Sequence, residues 1–204
     1  PGEYLLVIEH PNGYQKVQIA VYALGSPRRV IAKESRIHYV IVGIDEYPKF
    51  IVDDENSYGR TPEDLDVSAR DAQAIKEAFV KGNLMVGSCE TLINSEATRN
   101  NIRKAIENAA RRAKPVDFLV FYFSGYADQE LYDGEFIYPL DHIVPYDGQR
   151  YGSLEQIRNS LITDKDLESW LSKFPNSNVT VILDVAYAET FFDGVPRDKV
   201  KTSS

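Results

Sequence analysis

The chain has 204 residues, 43% hydrophobic and 26% charged, a balance ordinary for a folded domain with one sizeable core. Its formal net charge of -8 argues against nucleic acid as a main partner, because phosphate recognition needs clustered Lys and Arg. Its single cysteine, Cys89, excludes a disulfide framework and a cysteine-built zinc site, and no apolar run approaches the roughly 20 residues that cross a bilayer.

The chain opens at Pro1 with no initiator methionine and no signal peptide, so it reads as a trimmed piece of a longer protein; the missing signal says little about location, and the reading is a soluble protein of unknown compartment, the cytoplasm slightly favoured. Residues 1–31 read as β structure. Two strand-like runs, Glu3–Ile8 and Gln15–Tyr22, are joined through Pro11-Asn12-Gly13, and Asn-Gly between such runs signals a hairpin. Gly25-Ser26-Pro27 then punctuates the chain. The next strand is His38–Asp45, apolar almost throughout. An acidic loop follows with Asp53, Asp54, Glu55, Glu63, Asp64 and Asp66. Oxygen ligands at that density suit Ca²⁺, but the spaced acidic pattern of a calcium-binding loop is absent, and a solvated loop with no cofactor is the preferred reading.

Ser68–Val80 has helical period, with Ala72, Ile75 and Phe79 on one face, and Lys81-Gly82-Asn83 ends it. Thr91-Leu92-Ile93 suggests a short strand. Thr98 caps a second helix whose apolar face is Ile102, Ala105, Ile106, Ala109 and Ala113. Its Arg and Lys residues read as a solvated face. Asp117–Ala127 follows, with an unbroken apolar run from Phe118 to Phe123 that stops at Ser124-Gly125. Such a run marks a strand buried on both faces. Asp133-Gly134 suggests a hairpin within 129–141. Thr163 caps a third helix carrying Leu167, Trp170, Leu171 and Phe174, and Asn178–Val185 is another buried strand. Helical crossovers between apolar strands predict an α/β fold with a mostly parallel sheet. The strands end at Gly43-Ile44-Asp45, Ser124-Gly125-Tyr126 and Asp184-Val185-Ala186, and open α/β sheets place ligands at such ends.

These residues also resemble a family. FYFSGYA, residues 121–127, is similar to the FYFSGHG segment of caspase-like cysteine peptidases, in particular metacaspases and paracaspases. Four further matches keep the same order. Asp71-Ala72 looks like the family's Asn-Asp-Ala, and Leu92–Ile106 looks like its second strand and capped helix. Pro139-Leu140-Asp141 looks like its Pro-x-Asp, and Val181–Asp184 like the strand before Asp-x-Cys-His-Ser-Gly. The resemblance covers about residues 37–192 and implies the large-subunit part of a three-layer caspase-hemoglobinase fold. It divides the chain into a β-rich segment, 1–33, and a caspase-like domain, 34–204.

Active members use a Cys thiolate as nucleophile and a His as its base. Carried over residue by residue, the His position after Gly125 is Tyr126 and the Cys position is Ala186, or Tyr187 in a related register. Neither register supplies a thiol, and a phenol with a reference pKa of about 10 is a poor base near neutrality. His10, His38 and His142 read as structural or exposed, and Cys89 as a small apolar residue. Ser124 lacks a nucleophile-elbow pattern, and no nucleotide-binding glycine motif is present. The resemblance implies that Asp184, with Asp71, receives a basic peptide side chain. It also implies a small subunit of the p10 type, or a dimer partner, to complete the sheet. The reading is a pseudopeptidase acting in peptide binding, regulation or assembly. The alternative is a caspase- or metacaspase-type endopeptidase whose His and Cys were replaced deliberately. Departures at Tyr187, Ala188 and Glu189, beyond the two catalytic positions, favour the first.

Overall fold

A computed structural model describes residues 19–24, 35–49, 65–82, 85–132 and 137–185. The apolar runs become the middle of a five-stranded sheet. Its strands are β1 (Ile19–Leu24), β2 (Ile37–Gly43), β3 (Val86–Ile93), β4 (Phe118–Ser124) and β8 (Val179–Asp184), ordered β1-β8-β4-β2-β3. β2, β3, β4 and β8 are parallel, and β1 pairs antiparallel with β8. The strand expected in Gln15–Tyr22 is thus seen in part, at the sheet's edge. The rest of the expected hairpin lies outside the described residues.

Among the described residues, four α-helices lie in chain order: α1 (Ser68–Lys81), α2 (Arg99–Arg112), α3 (Leu154–Ser160) and α4 (Asp164–Leu171). Because successive strand residues face opposite sides, the sheet builds two cores. Val40, Val42, Phe121, Phe123, Val181 and Leu183 pack with α2 and α4. Tyr39, Ile41, Tyr122 and Ile182 pack with Ala72 and Ile75 of α1. This is the three-layer arrangement the apolar runs predicted. A smaller antiparallel sheet joins β5 (Ala127–Tyr132), β6 (Ile137–Ile143) and β7 (Ile162–Thr163); β5 and β6 pair as the hairpin expected around Asp133-Gly134 requires, and its turn lies outside the described residues.

The caps sit where the side chains allow. Thr98 Oγ1 accepts from Asn101 N at 3.2 Å. Thr163 and Asp166 form a reciprocal capping box at α4. α1 has no cap from its own N-cap residue, Val67. Instead Asp45, just past β2, accepts from Ser68 N at 2.8 Å and ties the start of that helix to the end of the strand. Gly43 makes the close approach possible: a Cβ there would sit 2.6 Å from Ala72 Cβ.

Several expectations need correction. The second strand begins at Val86, five residues before Thr91, because its polar start carries no alternating pattern. Cys89 therefore lies inside β3, half-buried, rather than ahead of it. β2 begins one residue before His38, at Ile37, and ends at Gly43, short of Asp45. α3, capped by Ser153 and Gln156, was not foreseen. Arg99 is not part of a solvated face. Its guanidinium bonds the Leu161 carbonyl at 2.8 Å, pairs with Asp166 at 2.9 Å and lies over the Trp170 ring.

Candidate functional site

Sheet register brings the expected strand ends together. Gly43 pairs with Ser124, and Ser124 pairs with Asp184. Asp184 Oδ2 accepts from the Tyr122 hydroxyl at 3.0 Å and from Ser124 Oγ at 3.4 Å. Tyr122 comes from the α1 face of β4 and is 1% exposed. Burial pushes the Asp184 carboxyl above its ordinary range, and the negative charge of Asp71 pushes the same way. The Tyr122 and Ser124 hydroxyls partly oppose this. Burial, and then the charge of Asp184, hold the Tyr122 phenol protonated. Asp71 lies in the first turn of α1, so the Asp45 tether helps set its position. A half-buried carboxyl held off its usual value by desolvation and a like charge is a recurrent mark of a binding or catalytic site.

Gly125 and Tyr126 follow β4. Gly125 is buried, and a Cβ there would collide with the Tyr47 hydroxyl. That hydroxyl accepts from Tyr126 N at 2.8 Å, and the two rings lie 4.8 Å apart, tilted by 50°. The Tyr126 carbonyl accepts from Val144 N at 2.9 Å. The loop is thus held at both backbone groups, and the half-buried Tyr126 ring packs against the larger core. Ala186 lies outside the described residues, as do His10 and the acidic positions Asp53, Asp54, Glu55, Glu63 and Asp64. Among the described residues, no three His, Cys, Asp or Glu side chains converge as a metal site, and no helix is long and apolar enough to cross a membrane.

Sequence reasoning missed Tyr47, Tyr122 and Ser124 as supports of the site. Tyr47 sits in a loop with no motif, and its partner is 79 residues away. Tyr122 and Ser124 stood inside the recognised run, but only the pairing of β4 with β8 aims them at Asp184.

His142 is buried on β6 opposite Asp128, with Nδ1–H donating to the Leu140 carbonyl at 2.8 Å. Burial lowers its pKa from 6.5, although the Leu140 carbonyl and the charges of Asp128 and Asp141 oppose the shift. A depressed histidine pKa means the unfolded chain takes up the proton first. Stability therefore falls as pH drops below 6.5. We expect urea midpoints to decline between pH 7.5 and 5.5, and His142→Gln to flatten that decline by the equivalent of about 1 kcal/mol. An unchanged slope would contradict the assignment.

The fold also stands beside known proteins. A crystal structure of a Geobacter sulfurreducens protein is similar, with 20% identity and a TM-score of 0.49. The match covers 72% of this chain and 48% of that one, so it spans about half that protein's length. No curated protein matches the sequence. The family model described as Caspase domain matches residues 38–204, most of the chain, from the second residue of β2 onward. The chain belongs to the caspase-domain family.

Proposed function

We propose that this caspase-family domain is a pseudopeptidase, a protein- or peptide-binding module whose site accepts a basic side chain at Asp184 and Asp71. The observation that carries the reading is Tyr126. The β4 loop, tied down through Tyr47 and Val144, carries a phenol at the position that the sequence resemblance gives to the family's catalytic imidazole. The same resemblance puts Ala186, which has no thiol, at the nucleophile position. The Asp184 carboxyl, with its neighbouring charge at Asp71, supports retention of the binding half, because a guanidinium or ammonium would relieve both the repulsion and the desolvation. In this reading residues 1–33 are an appended segment and 34–204 the domain proper. A small subunit of the p10 type or a dimer partner adds strands at a sheet edge. β1 already pairs with β8, so an added strand would join at β1, displace it, or pair with β3.

The test is a double back-substitution, Tyr126→His with Ala186→Cys, assayed on peptides with Arg, Lys or Asp at the cleavage position. The parent chain is expected to bind basic peptides and cleave none. The double variant is expected to bind equally well, and any cleavage it gains would show that the loss was recent or deliberate. Hydrolysis by the unmodified chain, proportional to its concentration after further purification, would end the pseudopeptidase reading.

A further inference from the structure

Three side chains at the opposite, amino end of the sheet form one continuous hydrogen-bonded row. Asp117 immediately precedes β4, His38 is in β2 and Ser88 in β3. His38 Nε2 lies 3.2 Å from Asp117 Oδ2, and His38 Nδ1 lies 2.8 Å from Ser88 Oγ. Asp117 is itself held by backbone amides, accepting from Arg36 N at 2.9 Å and Lys114 N at 2.8 Å. An ionised carboxylate only accepts hydrogen bonds. The proton therefore belongs on Nε2, which leaves Nδ1 as the acceptor facing the Ser88 hydroxyl. This assignment follows from the bonding pattern. It is the arrangement that prepares a serine for nucleophilic attack: hydroxyl to imidazole, imidazole to carboxylate, carboxylate fixed by the main chain.

The surroundings differ from those of a purely internal ion pair. His38 and Asp117 are 3% and 2% exposed, but Ser88 is half-buried on β3, which pairs only with β2 among the described strands. The register slips between Ile37 and His38: Ile37 faces Val86, His38 faces Ser88, and Gly87 is the extra residue. Bulges of this kind re-aim a side chain and leave one residue out of the ladder. Gly87 is exposed, and a Cβ there would come within 2.8 Å of His38 Cε1, so only glycine lets the bulged backbone lie against the ring.

We propose that Ser88, with His38 as its base and Asp117 as the positioning residue, forms a second reactive site that accepts acyl groups from small, unhindered carboxylic esters. Ser88 Oγ attacks the ester carbonyl carbon as its proton passes to His38 Nδ1. The bond from that carbon to the alkoxy oxygen breaks, and the departing alkoxide takes the proton from Nδ1. Water, deprotonated by the same nitrogen, then attacks the acyl-serine, releases the carboxylic acid and restores the hydroxyl. The site takes small acyl groups because it opens at a strand edge. It does not depend on the peptide-binding reading, since Asp184 lies at the other end of the sheet.

The experiment uses the whole chain with a fluorophosphonate probe, followed by peptide mass spectrometry, and with p-nitrophenyl acetate. Ser88 is expected to be the residue labelled in the folded protein, and labelling is expected to vanish in urea. Ser88→Ala, which leaves the buried pair in place, should reduce ester hydrolysis to the buffer rate. His38→Gln and Asp117→Asn, each checked for folding by its urea midpoint, should slow labelling of Ser88 by about 100-fold. Labelling that is absent, that persists in urea, or that is indifferent to His38→Gln would overturn the proposal.

Discussion

Asp117→Ala is expected to destabilise the fold by about 3–5 kcal/mol, because it removes a buried acceptor and strands several donors at a cost of about 1–3 kcal/mol each. The carboxylate serves three donors from two segments: the Arg36 amide and the His38 ring at the start of β2, and the Lys114 amide. Truncation leaves all three without their acceptor in a place that is 2% exposed, and each buried donor so stranded carries its own desolvation penalty. Burial alone would raise the Asp117 pKa. The Lys114 and Arg36 amides, with His38, outweigh it and hold the value below 3.8. The sign of the pH dependence follows. A carboxyl depressed in the folded state contributes stability above its unfolded pKa and loses it as pH falls through the folded one. Urea unfolding of parent and variant between pH 7 and pH 2 checks this. The gap between them is expected to be widest near neutrality and to narrow below 3.8. A variant within 1 kcal/mol of the parent at pH 7 would show that the cluster is not the anchor its geometry implies.

Asp184→Asn is expected to act in the opposite direction on stability while weakening the peptide binding proposed for that carboxyl. Burial and the charge of Asp71 raise this carboxyl above 3.8 in the folded chain. A raised carboxyl contributes its stability below the unfolded pKa and loses it as pH rises through the folded pKa. At neutral pH the ionised group is therefore a net cost. The neutral amide still offers an oxygen to Tyr122 and Ser124. A gain of about 0.5–2 kcal/mol at pH 7 is expected, the range typical of relieving strain at a functional site, with no gain near pH 3. Affinity for a peptide ending in Arg or Lys should drop about tenfold or more, equivalent to about 1.4 kcal/mol or above. Fluorescence polarisation with paired charged and neutral peptides measures it. Lower stability at pH 7 would refute the account of the burial cost, and unchanged peptide affinity would remove Asp184 from the binding site.

Where sequence reasoning succeeded, it relied on patterns carried within a few neighbouring residues. Phe118–Phe123 and Val179–Leu183 are too apolar for a strand with a wet face, so their burial between helices followed. Thr98 and Thr163 announced their helices because a cap bonds an amide two or three residues away. Five ordered motifs pointed to the caspase family before any coordinates. Where it failed, the pattern was faint or the partner was distant. β3 begins with Val86-Gly87-Ser88, which has no alternation because an edge strand with a bulge needs none. α3 is short and mostly polar, with Ile157 its one buried residue.

The chain's own order of apolar runs, caps and breaks therefore determined the fold class and the helical crossovers. Tertiary structure alone decided which groups meet: Tyr122 and Ser124 with Asp184, Tyr47 with Tyr126, and Ser88 with His38 and Asp117. Periodicity reports which face of an element is buried, but side-chain partners across a sheet depend on strand order and register. A shift of one residue exchanges the two faces, and those long-range pairings take shape only when the whole sheet closes.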